Sequence, residues 1–517
     1  MAALAPRLRV GVFADSLRQP RWLADSLARV ARSGFAEIAL LATTDAPASE
    51  PILWRTYEHV DRWLFGGPDP LEPVAIDSLV PAARRMALAS DDREWCARVA
   101  SLNLDVAVTL GAFDEARVEE LARYGAWRHA VGEASGESPR LAAMRELVDG
   151  KPVVSSGIQI RRGGTRRIAC RSWSRTVPFS IARSHDRLFG KTGEFLERSL
   201  RHVHEEGEGW LERQAVPHDE ESTDVAGLGD SLRGIATLGS RVVRRTVESC
   251  FTVGQWSLAF WWEGNPRGFH RLVPPPDRFW ADPFPVETGG RHYIFFEELP
   301  FATGKGHISV IEVRRDGSCS APLEVLERDH HLSYPFLLEH EGRLYMIPES
   351  ASNGTVEAWR CDEFPHRWRR ERVLLEGCFL ADATLHHDGE RWWMFANAGS
   401  EQAGADDELH VFHANHFLGD WTAHRANPVK SDVRSSRPAG RLFTREGNLY
   451  RPGQICAPLY GSGIAVHRVT RLTPDEFAER EVGRICPDAA SGLLGTHTIN
   501  RAGDLSVTDI FALRRRF

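Results

Sequence analysis

The chain has 517 residues, with 64 basic and 71 acidic side chains and a formal net charge of −7. This length exceeds that of one ordinary domain, and an acidic balance gives no electrostatic basis for binding nucleic acid. No apolar run approaches the ~18 residues needed to cross a bilayer. The eight cysteines are scattered without a CxxC pair, so neither a disulfide framework nor a metal site is predicted.

The first residues carry only a short apolar run at 10–14, too short for the core of a signal peptide. We therefore expect a cytoplasmic protein with no membrane span. Arginine greatly outnumbers lysine, a bias common in bacterial sequences. No motif indicates a cofactor, and the oligomeric state is left open.

The N-terminal part alternates strand-like and helix-like segments. Residues 8–14 and 36–42 are apolar runs of strand type, and residues 20–33 between them have the apolar spacing of an amphipathic helix. Short connections between such elements predict a parallel βαβ unit. Residues 104–110 are expected to form another buried strand and residues 114–124 a helix. The absence of GxGxxG removes the basis for a dinucleotide site.

Three of these segments carry a family resemblance. They read LRVGVFAD at 8–15, LDVAVTLG at 104–111 and PVVSSGIQI at 152–160. Residues 8–203 resemble a formyltransferase-type domain, which implies Asn, His and Asp around the formyl group. The matching motif has only His129, which is displaced, and residues 161–167 (RRGGTRR) contain no acid. Because arginine and glycine cannot act as a general base, we expect this fold without formyl transfer.

A polar connection follows the N-terminal domain. Residues 205–230 are rich in Glu, Asp, Gly and Ser, and residues 231–248 predict a basic amphipathic helix. A helix packed between domains is favoured, with a membrane-surface helix as the alternative. The predicted organisation is an α/β domain at 1–204, a linker and helix at 205–252, and an all-β domain at 253–517.

The C-terminal half of the chain, from residue 253 onward, contains an internal repeat. Each copy has an apolar lead-in, a motif residue, a short strand, a turn and a second strand, at residues 279–298, 332–350, 379–399, 435–454 and 494–513. Units of about 50 residues with about four strands each are typical of a β-propeller, here with five blades. The fifth copy ends after two strands, and the missing strands are expected from residues 255–260 and 268–273.

The innermost strands of a propeller line its axis, so equivalent residues at their starts converge there. The predicted converging residues are Asp282, Tyr334, Asp382, Arg437 and His497. Glu297, Glu349 and Asn397 follow Asp282, Tyr334 and Asp382, respectively, at one fixed distance along the sequence. The alternative is that the two aspartates only cap strands by binding local backbone N–H groups.

The ADPF and DA patterns at Asp282 and Asp382 are similar to those of five-bladed glycosidases of the arabinanase, β-xylosidase and invertase kind. That resemblance implies Asp282 as base or nucleophile, Asp382 as its support and a glutamate as the acid. Glu349 is the candidate for the acid, and the choice of glutamate stays open. The remaining five residues would bind substrate: Tyr334, Arg437, His497, Glu297 and Asn397.

Residues 255–509 more closely resemble the propeller module of plant glucosamine inositolphosphorylceramide transferases. The resemblance is carried by FWADPF at 279–284, YMIPES at 345–350 and SSRPAGR at 435–441. In those plant enzymes a separate domain performs the transfer.

The patterns favour a carbohydrate-active protein acting on a sugar or glycoconjugate, because paired carboxylates suit hydrolysis or transfer of a glycosidic bond. Two alternatives remain open. One is a non-catalytic carbohydrate-binding protein of a glycan assembly pathway, and the other is formyl or acyl transfer to an amino sugar by the N-terminal domain.

Overall fold

The computed structural model divides the chain into two compact units, Met1–Arg245 and Thr246–Phe517. It describes residues 6–44, 52–79, 84–87, 93–111, 113–132, 143–214, 216–217, 228–264, 268–400 and 404–516. Within these residues no helix combines the length and apolar character that crossing a membrane requires.

The first unit is an α/β domain built on one eight-stranded sheet. Its strands are β1 (Leu8–Ala14), β3 (Ala36–Thr43), β5 (Arg85–Ala87), β6 (Val106–Leu110), β7 (Ala126–Val131), β8 (Val153–Arg162), β9 (Thr165–Arg175) and β10 (Val216–Pro217), while β2 (Arg18–Pro20) and β4 (Pro73–Ala75) pair separately. The helices are α1 (Arg21–Arg32), α2 (Ile52–Phe65), α3 (Arg93–Ala100), α4 (Met144–Asp149), α5 (Ile181–Glu206), α6 (Glu208–Gln214) and α7 (Leu228–Phe251), the last of which continues into the second unit.

The predicted parallel α/β arrangement is confirmed for half of this sheet. The order is β10-β9-β8-β7-β6-β1-β3-β5, and pairing is parallel from β7 to β5. Pairing is antiparallel from β7 to β10. Within this half, β8 and β9 form a hairpin whose two-residue turn, Gly163 and Gly164, has φ of 58° and 75°.

The helix expected over residues 114–124 is wrong. This segment forms two short 3-10 turns, Glu115–Arg117 and Glu119–Leu121. Val118 between them has φ −125° and ψ −6°, which interrupts helical geometry, and Ala122 then bridges to Leu104 of the sheet region. Tertiary pairing therefore overrides the local helical pattern.

The second unit is a five-bladed β-propeller, as predicted. Blade 1 contains β13 (Arg278–Thr288), β14 (Arg291–Pro300), β15 (His307–Val313) and β16 (Leu323–Leu326), and blade 2 contains β17 (Ser333–His340), β18 (Arg343–Glu349), β19 (Thr355–Glu363) and β20 (Arg367–Glu376). Blade 3 contains β21 (Leu380–His387), β22 (Trp392–Ser400), β23 (Gly404–Ala414) and β24 (Thr422–Ala423), with β25 (Lys430–Ser431) also paired to β23, and blade 4 contains β26 (Phe443–Arg445), β27 (Asn448–Ile455), β28 (Gly463–Leu472) and β29 (Phe477–Ile485). Blade 5 contains β30 (Ile499–Ala502), β31 (Leu505–Arg515), β11 (Thr252–Trp262) and β12 (His270–Leu272).

The fifth blade closes the ring with strands from distant parts of the chain, which confirms the predicted donor. β11 pairs antiparallel with β31 along its whole length, from Thr252 opposite Arg515 to Trp262 opposite Leu505. Leu258 and Phe260 of β11 are fully buried. This pairing removes the open edge that β31 would otherwise present to solvent.

Three inner strands share the same deformation at their motif residue. The pairing of β13, β17 and β21 shifts register around Asp282, Tyr334 and Asp382, respectively. These residues have φ of 51°, 42° and 56°, a left-handed conformation uncommon for side-chain-bearing residues. The shared bulge identifies them as equivalent positions. We call the face of the propeller where the first strands begin and the second strands end the site face.

A shortened chain beginning at Thr252 should unfold cooperatively, whereas one beginning at Pro275 should not. The shorter chain lacks β11 and β12, so β31 loses its partner and the buried contacts of Phe260 are lost. Thermal unfolding followed by circular dichroism compares the two directly. Equal cooperativity and solubility would contradict closure of the ring by β11.

Candidate functional site

Asp282 belongs to a buried group of two carboxylates and one imidazole. His497 Nδ1 lies 2.7 Å from Asp509 Oδ2, and His497 Nε2 lies 3.4 Å from Asp282 Oδ1. The Thr498 hydroxyl donates to Asp282 Oδ1 at 2.6 Å, and the Asp282 backbone N–H donates to Asp509 Oδ2 at 3.1 Å. Blade 1 and blade 5 are thereby joined through polar atoms.

Burial and charge set the protonation of this group. Burial raises the pKa of Asp282 above its ordinary value, against the opposite effect of His497. Burial alone would lower the pKa of His497, but the carboxylates of Asp509 and Asp282 outweigh it and raise that pKa. A charged imidazolium between two carboxylates is therefore favoured.

Among the described residues, the side chains of Asp282, His497 and Asp509 also have a spacing that would suit metal ligands. Their candidate ligand atoms all lie within 4.8 Å of one another. The contacts of His497 with both carboxylates account for the spacing without an ion.

Asp382 forms the second centre of the site. Arg437 donates to it twice, from Nε to Oδ2 at 2.6 Å and from Nη2 to Oδ1 at 3.1 Å. The Gln454 amide donates to Oδ2 at 2.9 Å. Burial raises the pKa of Asp382 from its ordinary 3.8 to about 6, with Arg437 limiting the rise. The geometry is that of a bidentate arginine–carboxylate pair.

The second strands contribute a ring of polar side chains behind the bulge residues. Glu297, Glu349 and Asn397 lie opposite Ala281, Ser333 and Ala381, each directly before a bulge residue. Blades 4 and 5 supply Gln454 and Asp509 in the corresponding places, since the Gln454 N–H donates to the Arg437 carbonyl and the Asp509 N–H to the Thr498 carbonyl. All five side chains are at least nine-tenths buried.

Sequence reasoning found the first three members of this ring and missed Gln454 and Asp509. One fixed spacing from the motif residue holds in blades 1 to 3, whereas Gln454 follows Arg437 at a longer spacing and Asp509 follows His497 at a shorter one. The signal that could have found them is the polar residue inside each second apolar strand, at GQI and TDI.

The two glutamates of the ring have different surroundings. Glu349 accepts hydrogen bonds from the Ser333 hydroxyl and the Ala351 N–H, both at 2.7 Å. Glu297 has His331 Nε2 at 3.3 Å. Burial raises the pKa of Glu297 well above its ordinary value, and the carboxylates of Asp282, Glu349 and Asp382 raise it further. These surroundings therefore favour the protonated form of Glu297.

Asn397 is buried with both polar side-chain atoms unsatisfied. Among the described residues, neither its Oδ1 nor its Nδ2 has a hydrogen-bond partner. An unsatisfied buried amide costs about 1–3 kcal/mol. Such a group is suited to bind a polar partner that enters the site.

The buried Tyr334 side chain makes its contacts within the protein interior. Its hydroxyl lies 2.8 Å from Thr384 Oγ1 and accepts the Gly440 N–H at 2.8 Å. Its ring meets Phe284 edge to face, with the centroids 4.8 Å apart. The structure therefore places Tyr334 with the core, and its expected contact with substrate stays a prediction.

Two aromatic side chains missed by sequence reasoning adjoin the cluster. The Arg437 guanidinium lies 5.1 Å from the centre of the half-buried Tyr460 ring. The Trp256 ring lies 4.1 Å from that of His497. Aromatic faces of this kind stack on sugar rings and on cations alike.

The first unit offers a different picture at the predicted formyltransferase positions. Burial lowers the pKa of His129 to about 4, and neither ring nitrogen has a hydrogen-bond partner in the described part of the chain. The acid-free stretch forms the β8–β9 turn, where Arg161 and Arg166 pair with Glu119 and Glu115. The formyltransferase likeness of this unit stays a prediction.

Comparison with known proteins places the family likeness in the propeller. The family described as "Glucosamine inositolphosphorylceramide transferase 1, N-terminal" matches residues 272–501, which confirms the resemblance recognised in the sequence. The rice (Oryza sativa subsp. japonica) protein of that name is 34% identical over 221 residues, 42% of this chain and 30% of the relative. The Arabidopsis thaliana protein is 34% identical over 210 residues, 40% of this chain and 28% of the relative. The match thus spans less than a third of either relative.

Solved structures with lower similarity include three glycoside-cleaving proteins. A family 117 glycoside hydrolase from Zobellia galactanivorans has 11% identity and a TM-score of 0.34, covering 50% of this chain and 90% of that one. A GH43 protein from Bacillus licheniformis has 16% identity and a TM-score of 0.32, covering 41% and 47%. An exo-β-1,3-galactanase from Phanerochaete chrysosporium has 14% identity and a TM-score of 0.33, covering 43% and 58%. The five-bladed architecture itself rests on the strand pairing given above.

The expected cytoplasmic location is wrong, because these relatives contradict it. They are plant proteins named for transfer to an inositolphosphorylceramide, and a ceramide lipid is carried by a membrane. The arginine bias likewise gains no support as a sign of bacterial origin, since these relatives come from rice and Arabidopsis.

Replacing Asp382 by Asn should change how stability depends on pH. The folded-state pKa is raised to about 6, so this carboxyl group contributes stability that is present below pH 4 and lost as the pH rises through 6. A shift of about two units corresponds to ~3 kcal/mol. The stability of the unsubstituted protein relative to Asp382→Asn should fall by that amount between pH 4 and pH 7, measured by denaturant unfolding of the propeller. A difference that is constant with pH would contradict the raised pKa.

Proposed function

We propose that the propeller is a carbohydrate-active module that processes a glycosidic bond of a sugar or glycoconjugate at the axial carboxylate cluster. The observation that carries the proposal is the concentration of Asp282, Asp382 and Glu297 in one buried cluster, each with its pKa raised mainly by burial. Carboxyl groups tuned toward neutral pH are suited to acid–base catalysis.

Asp282 is proposed as the base or nucleophile. His497 and Thr498 hold its Oδ1, which fixes the orientation of the carboxylate. Asp382 supports the reaction through its charge and through Arg437, which can also bind a sugar hydroxyl. A positioned base of this kind typically contributes about 10²–10⁴ in rate.

The acid is proposed to be Glu297 in place of Glu349, which the sequence suggested. A general acid must be protonated at working pH, and the surroundings of Glu297 favour the protonated form. The Glu349 carboxylate already accepts hydrogen bonds from the Ser333 hydroxyl and the Ala351 N–H, which fix it in place within the protein. Glycoside cleavage needs one carboxyl group of each kind.

The relatives support the substrate class, since the plant proteins are named as glucosamine inositolphosphorylceramide transferases. The matched segment belongs to the N-terminal part of such proteins, so hydrolysis, transfer and assistance to a separate transferase all fall within the proposal.

Binding without catalysis is the second candidate. The aspartates are only 5% and 1% exposed, at Asp282 and Asp382 respectively. The carboxylate oxygens of Asp382 already accept three hydrogen bonds from Arg437 and Gln454. A cluster satisfied in this way can select a sugar through Asn397, Tyr460 and Arg437 without breaking a bond.

Asp282→Asn keeps the size of the side chain and should abolish turnover of a glycoside substrate with little change in melting temperature. The matched control is Asp316→Asn, which alters an exposed turn of the same blade. Release of sugar from a panel of glycosides and thermal melting are measured on the same samples.

Three results are distinguishable in that experiment. Lost turnover at unchanged melting supports catalysis by Asp282. Retained turnover with a lower melting temperature, equivalent to losing the ~1 kcal/mol that one local hydrogen bond contributes to stability, would show that Asp282 only caps a strand. That result would contradict the glycosidase-like role. A sugar that raises the melting temperature of both proteins without being cleaved indicates binding alone.

The two glutamates should separate in the same assays. Glu297→Gln should lose turnover and keep stability, because glutamine imitates a protonated carboxyl group. Glu349→Gln should keep both turnover and stability, because its amide oxygen can still accept from the Ala351 N–H and its amide N–H can donate to the Ser333 hydroxyl. The reverse pattern would assign the acid to Glu349.

A further inference from the structure

The site face of the propeller carries exposed apolar side chains around blade 5. Phe251, Leu459, Ile485, Leu494 and Leu513 are 62, 45, 39, 38 and 50% exposed. Single exposed apolar residues are ordinary on protein surfaces, whereas a contiguous group indicates an interaction site. Whether these residues adjoin one another therefore decides their meaning.

Backbone hydrogen bonds join the segments that carry them. The Leu494 N–H donates to the Phe511 carbonyl at 2.8 Å, and the Thr496 N–H donates to the Gly461 carbonyl at 2.9 Å. The Arg516 N–H donates to the Phe251 carbonyl at 2.9 Å. The loop of Leu459, the loop of Leu494, the last residues of β31 and the first of β11 therefore form one continuous surface.

Three consecutive arginines lie at this surface, of which Arg515 and Arg516 are exposed and Arg514 is half-buried. The side-chain hydrogen bonds of Arg514 and Arg516 go to backbone carbonyls, and in the described part of the chain Arg514, Arg515 and Arg516 form no ion pair with an acid. Some exposed arginines elsewhere are paired with acids, as Arg367 and Arg372 are with Glu363 and Asp420. The protein as a whole has a net charge of −7. A local positive patch on it therefore orients this surface toward a negatively charged partner.

We propose that this basic–apolar rim, formed by Phe251, Leu459, Leu494, Leu513 and residues 514–516, docks on the surface of an anionic lipid bilayer. Arginine binds lipid phosphate through paired N–H groups. The apolar side chains enter the boundary between headgroups and acyl chains. Charge complementarity thus selects an anionic membrane as the partner.

Docking in this orientation turns the site face toward the bilayer. Asp282, Asp382 and Glu297 then face the headgroup layer. Resting on the proposed function, the inference is that the axial cluster acts at the membrane surface. The rim itself is tested without any sugar, so its failure is distinct from failure of the catalytic proposal.

The test is co-sedimentation of the full chain with vesicles of phosphatidylcholine containing about a third phosphatidylserine, compared with phosphatidylcholine alone. We expect binding to the anionic vesicles that weakens as salt is raised. Each arginine near the surface contributes about fivefold, so the triple variant Arg514→Gln, Arg515→Gln, Arg516→Gln should bind about 100-fold more weakly. The matched control removes the same charge from β20 with Arg367→Gln, Arg369→Gln and Arg372→Gln and should bind normally.

Several outcomes would overturn the proposal. They are no binding of the unsubstituted chain, equal loss in both triple variants, or stabilisation by soluble glycerophosphoserine with no vesicle binding, which would identify a small-anion site. A Phe251→Ser, Leu513→Ser double variant should also bind more weakly, and full binding would contradict insertion of the apolar side chains. If the arginine variant fails to melt cooperatively, the salt series on the unsubstituted chain decides the electrostatic part.

Discussion

The pairing of β11 with β31 is the interaction on which the propeller depends. It joins Thr252 to Arg515 and Trp262 to Leu505, so two segments separated by most of the unit share one blade. A closed ring has a single axis, and only a closed ring can bring blades 1 and 5 into contact through Asp282, His497 and Asp509. The candidate site is therefore a product of closure as much as of any one repeat.

The axial cluster concentrates charge where water is scarce, and its arrangement shows how the fold tolerates this. Arg437 faces Asp382 and His497 lies between Asp282 and Asp509, so each aspartate has a cation close by. Among the described residues, Glu297 has only His331 as a basic neighbour within ion-pair distance, and burial and the other carboxylates raise its pKa well above the ordinary value. A buried carboxyl group without a strong cation partner becomes protonated.

The repeats allowed much of the fold and part of the site to be predicted from sequence. Asp282, Tyr334 and Asp382 were found because each copy places its motif residue at the same bulge, and closure was found because the last copy lacks two strands. Gln454 and Asp509 were missed because turn lengths differ between blades. The different roles proposed for Glu297 and Glu349 depend on neighbours such as His331, Ser333 and Ala351, which no spacing rule reveals. In the first unit, tertiary pairing determined the antiparallel half of the sheet and the 3-10 turns.

Closure of the ring also bears on how the propeller is assembled during synthesis. β11 is made first, yet its partner β31 follows only after the first four blades have been completed. Until then one edge of β11 remains open, although Leu258 and Phe260 will be fully buried at the end. Contacts this distant in sequence form slowly, because a long loop must close before they are gained. The growing propeller therefore carries an exposed apolar strand for most of its synthesis, a state in which aggregation competes with folding.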